Sequence, residues 1–129
     1  MSVEKIKSES IIAGKAYEFA LEIIKLYKLL VNEKKEYVLS KQILRSGTSI
    51  GANINEAIAG QSKRDFVHKL SIALKEARET DYWLNLLKDS DYINLIEFEN
   101  LKSKCNEIIK MLSSIIITTK ERYFNNKDS

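Results

Sequence analysis

Proline is absent from this 129-residue chain, and glycine occurs only four times. Proline breaks helix interiors by removing an N–H donor and clashing with the preceding turn, so its absence permits long uninterrupted helices. The one cysteine, Cys105, excludes an intramolecular disulfide and a multi-cysteine metal site, and points to a reducing cytoplasm. No apolar run approaches the roughly 20 residues that span a bilayer, which argues against a membrane partner. Charges at Glu4, Lys5 and Lys7 interrupt the start of the chain, where a secretory signal needs an unbroken apolar stretch. Neither sign of charge dominates. The net charge is +3, mild for a nucleic-acid-binding domain. Residues 1–69 hold twelve Lys/Arg against eight Asp/Glu, and residues 70–129 hold nine against ten, so the small positive excess lies in the first half. What is present is 44% hydrophobic and 30% charged residues in a chain of single-domain length, enough to bury a core without staples.

The apolar residues recur at alternating spacings of four and three, the period that keeps one helix face on a partner. Ile12, Ala16, Phe19, Ile23, Leu26 and Leu30 form the first stripe, on a helix expected over about 8–31 with Ser8 or Ser10 as its cap. Ile43, Gly47, Ile50, Ile54 and Ala57 form the second, over about 36–60, with Gly60 as the C-cap residue. Its middle, from Arg45 to Asn53, has poor helix propensity, but the stripe runs straight through it. Ser62 and Asp65 open the third helix, over about 63–88, with the stripe Phe66, Leu70, Ala73, Ala77, Thr80, Leu84 and Leu87. Asn94 and Glu97 form a second cap, flanked by Ile93 and Phe98 as a hydrophobic staple. The fourth helix is expected over about 95–123, with the stripe Phe98, Leu101, Cys105, Ile108, Leu112, Ile115 and Thr119 and a frayed polar tail over 125–129. Four such helices joined by short turns predict an all-α, antiparallel up-down four-helix bundle, one domain over residues 1–129.

More apolar surface is present than one bundle requires. Ala13, Ala20, Ile24 and Tyr27 widen the first stripe. Ile109, Ile116 and Tyr123 widen the fourth, and Ile115-Ile116-Ile117 covers about 200 degrees of a helix at 100 degrees per residue. Large apolar patches are rare on monomers, so a homo-oligomer is expected.

The residue types that carry chemistry are sparse. A carboxylate-bridged metal pair in a bundle needs two Glu-x-x-His motifs, and this chain has one histidine, His68, with no Glu three residues before it. Cys105 occupies a stripe position, which makes it a small core residue and not a nucleophile. Gly47-x-x-x-Gly51 is not followed by the Gly-Lys-Ser/Thr of a phosphate loop and reads as close helix packing. No enzymatic activity, metal or cofactor is expected. If the second and third helices run antiparallel about Gln61/Ser62, Arg45 meets Glu79, and these two are expected, with Asn53 and Glu56, to form a structural polar core. The same register places Lys41, Arg45, Lys75 and Arg78 as a basic strip able to meet phosphates. Lys63 and Arg64 form a second cluster on the first turn of the third helix, where positive charge opposes the helix dipole. His68 reads as a solvated surface residue, and no aromatic is interleaved with these cations in a way that suggests base stacking.

The stretch from Gln42 through the Ser-Ile-x-x-Asn-Ile-x-Glu segment (Ser49, Ile50, Asn53, Ile54, Glu56), with Arg45, Phe66, Glu79 and Leu84, resembles the bacterial 23S rRNA intervening-sequence proteins. Many of these are encoded inside insertions within 23S rRNA genes. The resemblance implies a barrel-shaped homopentamer without enzymatic activity. A related group, the accessory variability determinants of diversity-generating retroelements, shares the fold and the pentamer, and its strongly basic members bind nucleic acid and a reverse transcriptase. Two functions follow as expectations: an oligomer that binds RNA or another nucleic acid, or a protein–protein interaction scaffold with no nucleic-acid role.

Overall fold

In a computed structural model, residues 3–124 are described, with side chains from Lys7 onward. Four helices, α1 (Val3–Asn32), α2 (Leu39–Ala59), α3 (Lys63–Asp89) and α4 (Leu95–Tyr123), are joined by short turns, with no strand among the described residues. Each helix packs on its neighbours in sequence, α4 returns to α1, and the backbones of the diagonal pairs stay apart. Chain order is therefore the order around the bundle. The expected tail over 125–129 lies outside the described residues.

Each stripe read from the sequence points inward, with one exchange. Ile12, Phe19, Ile23, Leu30, Ile43, Ile50, Ile54, Leu70, Leu84, Leu87, Ile108 and Leu112 are the largest fully buried side chains. On α4 the buried position is Ile116, and Ile115 is only half-buried. A strict alternation of three and four drifts by about 20 degrees per heptad against a straight helix, and two successive spacings of four correct it.

The helix ends obey local chemistry, with three departures from expectation. α1 begins at Val3, so Ser8 and Ser10 lie inside it and cap nothing. α2 begins at Leu39, later than expected, because Glu36 starts it. The Glu36 carboxylate accepts from the backbone N–H groups of Val38, Leu39 and Ser40 at 3.2, 3.0 and 2.7 Å, and Ser40 Oγ donates back to the Glu36 carbonyl at 2.8 Å. These are orphan donors of a first helical turn, satisfied by one buried carboxylate. Gly60 follows α2 with φ −65°, so no left-handed cap is made there. Glycine fits for a different reason, since a β-carbon would run into the Asp65 carboxylate and lie 3.1 Å from the Ala57 carbonyl oxygen. The other caps form as read. Ser62 accepts from Asp65 N at 3.0 Å, and Asn94 and Glu97 make a reciprocal capping box. Ile93 and Phe98, on either side of it, are both buried.

Burial works to raise the Glu36 pKa, but the backbone donors Leu39, Ser40 and Val38 outweigh it and hold the carboxyl below its ordinary value of 4.5. A carboxyl lowered in the folded state stabilises the fold above the unfolded pKa and loses that contribution as pH falls through the folded one. Glu36→Gln is expected to cost about 1 kcal/mol at pH 7. In urea titrations the difference from the parent protein should shrink below about pH 4.5, and a difference that is the same at about pH 3 would refute a charge-assisted cap.

Candidate functional site

The α2–α3 seam carries a polar network on its outer edge. Arg45 on α2 reaches across to α3, pairing with Glu76 at 3.1 Å and with Glu79, while Gln42 Oε1 accepts from its second terminal nitrogen at 3.4 Å. Glu79 also accepts from the Trp83 indole N–H at 2.9 Å, and Trp83 packs edge-on against Tyr82 with centroids 5.2 Å apart. The expected Arg45–Glu79 contact is present, but as part of a rim. The Arg45 side chain is 50% exposed and Glu79 30%. Glu56 is likewise exposed and accepts from Lys69, whose ammonium is held above its ordinary value by that hydrogen bond. Half-buried Asn53 donates to the Ser49 carbonyl one turn back. The residues expected as a polar core thus lie at its border, because long charged side chains reach water from a two-helix seam. The buried polar groups are smaller: Thr80 Oγ1 donates to the Glu76 carbonyl at 2.8 Å and accepts from the Ser46 hydroxyl at 2.9 Å.

This geometry divides the sequence-predicted cations. Arg45 is neutralised by two carboxylates. Lys41, Lys75 and Arg78 are exposed and make no ion pair among the described residues. Arg64 is exposed at the far end of α3, and half-buried Lys63 sits with its Nζ 4.8 Å from the centroid of the Tyr123 ring.

A second period, made of polar and cationic residues, runs down the outside of α3. Arg64, His68, Ser71, Lys75, Arg78 and Tyr82 are spaced 4-3-4-3-4, and all are exposed. None is acidic. From Arg64 to Tyr82 the helix rises about 27 Å, at 1.5 Å for each of eighteen steps. The spacing was legible in the sequence, but reading only apolar residues hid it. At its Arg64 end lies a cavity of about 530 Å³ between α3 and α4, lined by Arg64, Val67, Ile117, Lys120, Glu121 and Phe124. Aromatic side chains therefore flank the cations at both ends of the line, Tyr82 one turn beyond Arg78 and Phe124 brought in from the end of α4.

Other chemistry finds less support. Cys105 Sγ is fully buried and donates to the Ala77 carbonyl at 3.2 Å. Burial, and then the nearby Asp81 charge, push its pKa up to about 12, so the thiol stays protonated and is a poor nucleophile. No group of three or more His, Cys, Asp or Glu among the described residues is placed to hold a metal ion. No described helix is long and apolar enough to cross a membrane.

The α1–α4 seam is the most open of the four. It is tied mainly by polar contacts: Glu22 accepts from Lys104 at 2.5 Å and Asn100 at 3.0 Å, and Lys15 pairs with Glu107 at 3.2 Å. Between these ties lies a groove of about 470 Å³ whose lining includes exposed Ile11 and Gly14, where a β-carbon would meet nothing. Tyr17 and Leu21, one turn apart on α1, are also exposed. Of the residues expected to widen the α1 stripe, Ala13, Ala20, Ile24 and Tyr27 are half-buried.

The family model described as 23S rRNA-intervening sequence protein matches residues 8–114. Among solved structures, the chain is similar to a protein of unknown function from the S23 ribosomal protein family of Bacteroides thetaiotaomicron, with 55% identity and a TM-score of 0.84 over 85% of this chain and 98% of that one. No functionally curated protein matches the chain.

Because Arg45 and Glu79 are half-exposed and Arg45 keeps Glu76, Glu79→Ala is expected to cost only about 1 kcal/mol, part of it from the unpaired Trp83 indole. Thermal unfolding measures this, and a loss of more than about 3 kcal/mol would show that the network behaves as a buried one.

Proposed function

The chain belongs to the 23S rRNA-intervening sequence protein family, and we propose that it is a non-catalytic, self-associating bundle that binds RNA by its phosphates. The observation that carries this reading is the outer line of α3, where Lys75 and Arg78 stand exposed with no acid at any of the six positions and no ion pair among the described residues. Exposed cations without internal partners are what a polyanion can use at little structural cost, since binding releases counterions and breaks no salt bridge. Lys41 contributes from α2, and Lys63 and Arg64 extend the charge to the other end of the bundle. Arg45 is the weakest contributor, because Glu76 and Glu79 already hold it. Phosphate contacts of this kind position RNA without reading its sequence.

Self-association is supported by the open α1–α4 groove and by exposed Ile11, Tyr17 and Leu21, which a second copy can cover. A net charge of +3 per chain is modest, but repetition around an axis multiplies weak contacts into a usable affinity. In this reading the protein is a homopentamer, and a partner protein replaces RNA only if RNA binding fails.

Light scattering is expected to give a mass near five times 14.9 kDa, and a monomer at micromolar concentration would exclude the assembly. Filter binding of structured RNA is expected to weaken about tenfold or more between 50 and 200 mM salt if about three phosphates are neutralised. Charge reversal at Lys41 and Lys75 should abolish retention, whereas reversal at Arg45 should change it little. No retention at 50 mM salt would favour the interaction-scaffold reading.

A further inference from the structure

The cavity at the Arg64 end of α3 differs from the rest of the basic line. It is an open depression lined by buried Val67, by the exposed apolar side chains Ile117 and Phe124, and by the cations Arg64 and Lys120. A surface that only tracked phosphates would need no such apolar recess. Its volume of about 530 Å³ lies within the range of about 300–1,000 Å³ usual for small-ligand sites. Resting on the RNA-binding reading above, we infer that this recess receives one unstacked base of single-stranded RNA. Phe124 supplies the stacking face, and Arg64 and Lys120 meet the phosphates on either side of the base.

Three observations converge on that occupant. The recess is apolar and carries an aromatic ring at its edge, which matches a base face and not a phosphate. Its charged lining is two cations against one acid, so the whole occupant is anionic while the buried part of it is not. Glu121, the lone acid, can accept from a base N–H, a contact that a simple acyl anion would not offer. The recess also opens at Arg64, the first residue of the outer cationic line, so a strand leaving it runs directly onto His68, Lys75 and Arg78. Approach is favoured by the start of α3, where the helix dipole adds positive potential to Lys63 and Arg64. Lys63 is tethered there by its contact with the Tyr123 ring, which joins the start of α3 to the end of α4 around the recess.

The test uses the full-length protein and two probes of equal length, an oligouridylate carrying a single 2-aminopurine and a blunt RNA duplex. The single strand is expected to bind more tightly, with the 2-aminopurine fluorescence quenched on binding. Phe124→Leu keeps an apolar side chain but removes the stacking face, and should weaken single-strand binding about tenfold while leaving duplex binding unchanged. Ile117→Asp, at an exposed position that does not threaten the core, should do the same and abolish the quenching. Equal affinity for strand and duplex, unchanged in both variants yet lost on charge reversal at Lys75 and Arg78, would overturn the base site and leave the phosphate reading standing. No retention of either RNA at about 50 mM salt would overturn both. A changed mass by light scattering in Phe124→Leu, with RNA affinity unaltered, would assign the recess to a second copy of the chain and overturn the base site.

Discussion

Ile23 on α1 occupies the space that a side chain on Gly47 would need: a β-carbon there would lie 2.9 Å from both Ile23 Cγ1 and Cγ2. One turn further along α2, Gly51 faces Ala16 at ordinary contact distance. On its other side, α2 presents Ser46 to Thr80 through a buried hydrogen bond. This segment has poor intrinsic helix propensity, and packing on both flanks overrides it. Small residues on α2 let the α1 and α3 backbones each draw close to it. The Gly47-x-x-x-Gly51 spacing is thus a packing device, and the tightness of α2 against its neighbours is what the other seams are built around.

The charge pattern of the α2–α3 face is a consequence of that closeness. With α2 and α3 drawn together, Arg45 is near enough to Glu76 and Glu79 to be neutralised, and Trp83 joins through its indole N–H. The pairing removes one cation from the surface and leaves Lys41, Lys75 and Arg78 exposed. Where the α2–α3 seam is dense and closed at its rim by charge pairs, the α1–α4 seam is open and bridged mainly by Glu22, Lys104, Lys15 and Glu107. The bundle therefore has two unlike sides, an apolar groove suited to another copy and a cationic line suited to a polyanion.

Much of the fold was legible because it depends on local rules. Helix periodicity survives any tertiary arrangement, and the caps at Ser62 and Asn94 are short-range hydrogen bonds within a few residues. Glu36 was missed because a glutamate preceding a helix by three residues does not follow the usual Ser, Thr, Asp or Asn pattern, and its burial depends on the loop it lies in. Ile116 replaced Ile115 because the choice between adjacent isoleucines depends on accumulated helix drift, which a few degrees of supercoil decide.

The candidate site divides along the same line. By itself the sequence determined that the chain is an all-helical bundle with Arg45 near Glu79, since both follow from period and antiparallel register. It also carried the outer line from Arg64 to Tyr82, whose spacing is helical throughout. Only the tertiary structure decided that Arg45 is half-exposed rather than buried, because burial of a long side chain depends on how far apart two helix axes lie. Only the tertiary structure brought Phe124 and Lys120 to Arg64, sixty residues and fifty-six residues away in the chain. Spacing within one helix is set by backbone hydrogen bonds that repeat every turn, whereas proximity between helices is set by side-chain packing along the whole length of the bundle, and no local pattern encodes it.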